Sequence, residues 1–282
     1  MVIQIFNALS YSVILFLLSS GLCLMFGLMK IVNLAHGSLY MLAGYVGFSI
    51  AKATDSFALA LLGGMACTAL ISLAMERGLL RFLHKHDMEQ LLVTFGLIFI
   101  FQNLARNIWK GHTCFVAEPD FLAGAVQLFG ITYPMYRLVL ILIGFAVATG
   151  LWLLEEKTKI GAIIRAGVDD AEMVEGMGKN VKLIFTLVFA LGGALAGLAG
   201  VLGSVLTGAF LGVGLTVLIL SLLVIVIGGM GSLKGAMLGS LLIGFADVFG
   251  KVYLPHFAYF IVYGLMVIVL VIKPTGLLGQ DE

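Results

Sequence analysis

The sequence predicts an all-α protein, a polytopic transmembrane helical bundle of about eight or nine hydrophobic segments. Composition carries the first part of that reading. Of the 282 residues, 61% are hydrophobic and 11% charged, with a mean hydropathy of +1.15. A soluble domain has about 25% charged residues, so lipid must be the solvent for most of this chain. The placement of charge carries the second part. Asp, Glu, Lys and Arg are absent from residues 1–29, 56–75, 138–154, 183–233 and 252–272. A helix needs about 20 apolar residues to cross the hydrocarbon. Barrel strands alternate over about ten residues, which these continuous runs do not do.

The first run, MVIQIFNALSYSVILFLLSSG, lacks a basic leader and is too long for a signal segment, so it reads as a retained span. Residues 37–51 and 91–108 are shorter or interrupted by polar groups, with Gln102 and Asn103 at a segment end. The 51 residues of 183–233 suffice for two crossings joined by a tight turn near 208–214. Residues 235–250 hold one acid, Asp247, one helical turn before Lys251, which reads as an interfacial ion pair.

Three hydrophilic stretches separate these runs. Residues 76–90 carry Arg77, Arg81 and Lys85, and residues 155–182 carry Lys157, Lys159, Arg165, Lys179 and Lys182. The longer stretch 106–137 carries only Arg106, Lys110 and Arg137, beside Glu118 and Asp120. The positive-inside rule therefore puts 76–90 and 155–182 in the cytoplasm and 106–137 outside. Lys273 and the tail join the cytoplasmic side if four crossings follow residue 182. The side of the N-terminus stays open. None of these stretches exceeds about thirty residues, which leaves no room for a soluble catalytic domain. The chain, 1–282, thus reads as one transmembrane domain.

Several function classes fall away. A net charge of +1 without an arginine patch offers nothing to nucleic acid. Cys23, Cys67 and Cys114 are far apart and read as small hydrophobes rather than a metal site. No Ser/His/Asp, HExxH or paired-carboxylate arrangement occurs, and residues 176–180 lack the spacing and hydroxyl of a phosphate-binding loop. The chain reads as neither an enzyme nor an ATPase, with no metal, catalytic or cofactor-binding residues.

Small residues are dense, with 36 glycines. Gly193, Gly197 and then Ala196, Gly200 and Ser204 recur four apart, as do Gly235 with Gly239 and Ser240 with Gly244. Such faces let helix backbones approach closely in lipid. Two stretches look like interrupted helices. One spans residues 30–37 with Asn33, His36 and Gly37, and the other spans residues 228–235 with Gly228, Gly229 and Gly231. An internal repeat with broken helices near the pathway gives this pattern, as do plain glycine loops. For Asn33 and His36 the simplest role is to satisfy backbone groups freed at the break.

Residues 161–182 read GAIIRAGVDDAEMVEGMGKNVK. Asp169 followed by Glu172 resembles a capping box with Asp169 as N-cap, and Asp170 and Glu175 add charge suited to a helix start. Gly176 and Gly178 are natural stops. Met173, Val174 and Met177 form a short apolar stripe. A helix of about seven residues must dock on something, either its own bundle and membrane surface or a groove on a cytoplasmic partner.

Several ordered segments carry a family resemblance: NLAHGSLYMLAGYVG (33–47), RAGVDDAEMVEGMGKNV (165–181), ALGGALAGLAGVL (190–202), VIGGMGSLKGAMLGSLLIG (226–244) and KPTGLLG (273–279). Together they resemble the permease subunits of branched-chain amino acid ABC importers over nearly the whole chain. The resemblance implies a multi-pass subunit in the inner (cytoplasmic) membrane of a bacterium. It implies four kinds of partner: a homologous second permease, two ATP-binding subunits, a periplasmic substrate-binding protein and the lipid bilayer. ATP would be used by the partners, not bound by this chain. The resemblance also implies that residues 166–178, with Arg165, Ala166, Asp169, Asp170, Glu172, Met173, Val174, Glu175, Gly176, Met177 and Gly178 as its coupling residues, form the helix seated in the ATPase. Urea and short-chain amide permeases share these motifs. An ion-coupled carrier would need buried ionisable groups, of which this reading finds only Asp247. A channel would conduct without nucleotide.

Overall fold

The structure is a computed structural model that describes residues 1–29, 33–83, 86–128, 130–169, 171–178 and 180–279. Its helices are α1 (Val2–Met29), α2 (His36–Thr54), α3 (Phe57–Gly78), α4 (Asp87–Trp109), α5 (Met135–Lys157), α6 (Lys159–Asp169), α7 (Ala171–Gly176), α8 (Val181–Thr207), α9 (Val213–Gly228), α10 (Leu233–Tyr253) and α11 (Ala258–Ile272). The protein is a multi-pass helical membrane protein. Among the described residues, α1, α3, α4, α5, α8, α10 and α11 are long and apolar enough to cross a bilayer, while α9 is shorter. With the 19-residue α2, the apolar helices match the eight or nine segments expected. One short antiparallel hairpin, β1 (Ala125–Leu128) with β2 (Ile131–Pro134), interrupts the α4–α5 connection.

Local chemistry fixes the helix ends. Ser56 caps α3, Asn180 caps α8 by accepting from Leu183 N at 3.0 Å, and Ser232 caps α10 by accepting from Gly235 N at 3.1 Å. The α8–α9 turn uses Gly208 at φ 75° and Gly212 at φ 98°, conformations that disfavour a side chain. Hydroxyls inside the spans are satisfied locally. Ser10, Ser12, Thr68, Thr94 and Ser221 each donate to the carbonyl four residues earlier.

Polar contacts sort the helix ends into two groups. At one end, Arg137 donates to Asn7, Trp109 Nε1 to Ser49 Oγ at 2.8 Å, and Tyr45 to the His112 carbonyl at 3.2 Å. Cys114 and Ala209 form an antiparallel bridge there. At the other end, Thr186 donates to Glu76 at 2.8 Å and Lys234 to Glu156 at 2.9 Å. The tail joins this second group, because Leu277 N donates to the Ile227 carbonyl and Leu278 N to that of Gly228. The N-terminus therefore lies opposite α6–α7, and the tail lies beside them. This resolves the side of the N-terminus relative to the loops.

The expected small-residue faces are the contacts that bring helices together. Gly193 and Gly197 of α8 face Thr68 and Ser72 of α3, while Gly200 faces Tyr40 and Ala43 of α2. Gly235 and Gly239 of α10 face Gly228 and Val224 of α9, and Gly244 faces Ser12 of α1. The α1 and α8 spans are mostly buried within the chain, whereas most residues of α3, α4, α5 and α11 are only partly buried or exposed. Lipid or a partner must cover those outer faces.

Three readings change. Within the hydrophilic stretch 155–182, residues 159–169 form a further helix, α6, ahead of the expected short one. Glu76 lies in the last turn of α3 and is buried. Gln102 and Asn103 lie inside α4, where Asn103 donates to the Phe99 carbonyl at 2.9 Å.

Candidate coupling surface and helix breaks

The chain turns sharply from α5 into α6 at Thr158, whose Oγ1 accepts from Gly161 N at 3.1 Å. A Cβ on Gly161 would overlap the carbonyls of Leu154 and Glu155, so the turn requires glycine. Ile164 of α6 is buried in the same apolar cluster as Leu22 and Leu151, which fastens the segment to the bundle. Arg165, Ala166 and Asp169 belong to α6. Asp170 lies outside the described residues. Glu172, Met173, Val174, Glu175 and Gly176 belong to α7, and Met177 and Gly178 form the turn after it, with Gly178 at φ 77°.

Two expectations are corrected at this segment. Asp169 is the last residue of α6, not the N-cap of α7, because the preceding sequence is itself helical. The apolar stripe also divides. Val174 is only 2% exposed, whereas Met173 is 66% and Met177 62% exposed. The six-residue helix lies against α6 and α8, with Val174 buried and the two methionines exposed. Docking on its own bundle thus holds for Val174, while the two methionines remain exposed. Methionine is flexible and polarisable, suited to a surface that packs against another chain.

The second helix break runs as expected from its glycines. α9 ends at Gly228, Gly229 (φ 106°) and Gly231 (φ 84°) carry the turn, and Ser232 starts α10. Gly229 packs on the backbone of Gly279 in the tail, and Gly231 on Gly27 near the end of α1. At the first break, residues 30–32 lie outside the described residues. Asn33 is buried and its Oδ1 accepts from Ala35 N at 3.1 Å, a turn-capping role. His36, the first residue of α2, is buried and its Nε2 donates to the Leu18 carbonyl of α1 at 3.0 Å. Gly37 packs backbone to backbone on Gly214, at the start of α9.

The two breaks are therefore not brought together. Gly214 and Gly228 are fourteen residues apart on α9, roughly 21 Å at 1.5 Å per residue. Both breaks nevertheless brace α1, one through Leu18 and one through Gly27.

Asp247 behaves as expected. It is buried and paired with Lys251 at 2.6 Å, and the Lys251 ammonium lies over the Tyr11 ring. Glu76 is the residue that sequence reasoning missed. It is 1% exposed and accepts from Thr186 Oγ1 at 2.8 Å. The available signal was the four-residue spacing of Gly64, Thr68, Ser72 and Glu76, which is the α3 face that meets α8. The three cysteines are free and unclustered.

Comparison with known proteins identifies the chain. The family model described as "Branched-chain amino acid transport system / permease component" matches residues 4–270. The high-affinity branched-chain amino acid transport system permease protein BraD of Pseudomonas aeruginosa is 28% identical over 99% of this chain and 96% of its own length. The permease protein LivH of Escherichia coli K12, named for the same transport system, is 27% identical over 99% of the chain and 96% of its own length. A probable LivH permease of Methanocaldococcus jannaschii is 27% identical over 98% and 91%. No solved structure matches. With the multi-pass helical fold and a family match over nearly its full length, the chain belongs to the permease component family of branched-chain amino acid transport systems.

Proposed function

We propose that this chain, 1–282, is the membrane-spanning permease subunit of an ABC importer that carries branched-chain amino acids across the inner membrane of a bacterium. The observation that carries the proposal is the family match over residues 4–270, supported by relatives named for high-affinity transport of that cargo. Its partners are a second, homologous permease, two ATP-binding subunits and a periplasmic binding protein. The chain binds no cofactor, and ATP is used by the partner subunits.

In this reading the α6–α7 end faces the cytoplasm. Arg77, Arg81, Lys157, Lys159, Arg165 and Lys182 belong to that end, against Arg106, Lys110 and Arg137 at the other. Met173 and Met177 insert into the ATPase, while Val174 and Ile164 transmit its movement into α8 and α5. Closure of the two ATPases would displace α6–α7 and shift helices across the glycine contacts, including the breaks at Asn33–His36–Gly37 and Gly228–Gly229–Gly231. An ion-coupled carrier is less well supported, because Asp247 is spent on Lys251 and Glu76 on Thr186.

Purification of the tagged subunit from native membranes tests the assembly. Recovery of a second permease and phosphate-loop ATPases is expected, with a binding protein that takes leucine and valine. A binding protein that takes urea would redirect the cargo. Recovery of the subunit alone, where the partners are expressed, would overturn the proposal.

A further inference from the structure

The geometry points to a receiving site for a free zwitterionic aliphatic amino acid, in a cleft at the end of the bundle opposite α6–α7. The inference rests on the importer reading above and names where cargo first meets this subunit. The cleft, about 400 Å³, lies between residues 116–118, the first turn of α5 and the last turns of α8. That volume falls in the ~300–1,000 Å³ range of small-molecule sites. Glu118 and Arg137 are the charged residues lining it, and among the described residues neither belongs to an ion pair. Two opposite charges that face one cleft without pairing leave both free for a ligand carrying the complementary pair.

Arg137 is held in place by a side-chain bond, whereas Glu118 is constrained at its backbone. Pro119 restricts Glu118 to extended backbone. Arg137 donates to Asn7 Oδ1, which also accepts from Tyr133 at 3.1 Å. The remaining wall is apolar, from Val116, Val205 and Leu206. Tyr136 adds a ring face, because its hydroxyl donates to the Leu202 carbonyl at 2.8 Å. A ligand with a carboxylate for Arg137, an ammonium for Glu118 and a branched hydrocarbon for the valine and leucine side chains satisfies every wall. Urea, which is neutral, satisfies neither charge.

The test uses the chain assembled with its transporter subunits in nanodiscs, without binding protein. Saturation-transfer NMR is read with three probes: leucine, 4-methylpentanoate, which lacks the ammonium, and isopentylamine, which lacks the carboxylate. Glu118→Gln is expected to weaken leucine about tenfold or more, the loss of one charge-assisted contact, and to leave 4-methylpentanoate unchanged. Arg137→Gln should weaken leucine and spare isopentylamine. Glu118 is exposed, so its variant is decisive should Arg137→Gln disturb Asn7. Leucine contact that is unchanged by Glu118→Gln, or absent from the wild type, overturns the site. ATP-driven leucine uptake by the same wild-type complex, moved into proteoliposomes and supplied with loaded binding protein, separates the two readings. Uptake without cleft contact sinks the site alone, and absence of uptake sinks the importer reading.

Discussion

Replacing Met173 and Met177 together with aspartate separates the proposed coupling surface from the fold. Both side chains are already mostly hydrated, at 66% and 62% exposed, so the change should alter folding stability by no more than about 0.5 kcal/mol. Burying a methionine fully is worth about 1.5–3 kcal/mol, of which roughly two-thirds remains available at these exposures. Losing both at an ATPase interface then costs about 2–4 kcal/mol, or roughly 30- to 700-fold in dissociation constant. Val174 gives the contrast. Truncation to alanine removes two buried carbons, about 1.6 kcal/mol, and weakens the docking of α7 on its own bundle. Co-elution with the ATPase subunits reads the first effect, and thermal unfolding in detergent reads the second. Full ATPase association by the double methionine variant would refute the division of the stripe. So would a loss of thermal stability equal to that of Val174→Ala.

Two further perturbations test how the bundle is held. A Cβ at Gly197 would stand 2.8 Å from Met65 Cα and 3.0 Å from the Gly64 carbonyl oxygen. Gly197→Leu should therefore cost about 1–3 kcal/mol of overpacking and lower the unfolding midpoint. Gly150, with open space around it, should accept leucine without loss. Glu76→Ala should cost about 1–3 kcal/mol by removing the buried hydrogen bond from Thr186 to the Glu76 carboxylate. Glu76→Gln retains an acceptor and should cost measurably less, and equal losses would remove the bond from the account.

Legibility in the sequence followed the physics of each feature. Spans were readable because charge is excluded from hydrocarbon, so Lys30, Glu76, Lys182, Lys234 and Lys273 mark their ends. The glycine faces were readable because lipid leaves close packing as the means of helix association, and Gly193, Gly197 and Gly239 all sit at helix contacts. Glu76 was not, because a carboxylate that ends a charge-free run looks the same whether it meets water or Thr186. The division between Val174 and Met173 was hidden for a related reason. Adjacent apolar residues point to different sides of a helix, and only tertiary packing decides which side is inside. The depth of the first break was equally hidden, since it depends on His36 reaching Leu18 across α1 and α2.

The central claim is that this subunit moves branched-chain amino acids only when separate ATPases drive it. It is tested most directly by uptake of radiolabelled leucine into proteoliposomes holding the assembled complex, with ATP at the ATPase side and loaded binding protein at the other. The account predicts accumulation against a gradient with ATP, none with a non-hydrolysable analogue, and competition by valine and isoleucine but not urea. Leucine flux that is independent of nucleotide, or uptake competed by urea alone, would contradict it.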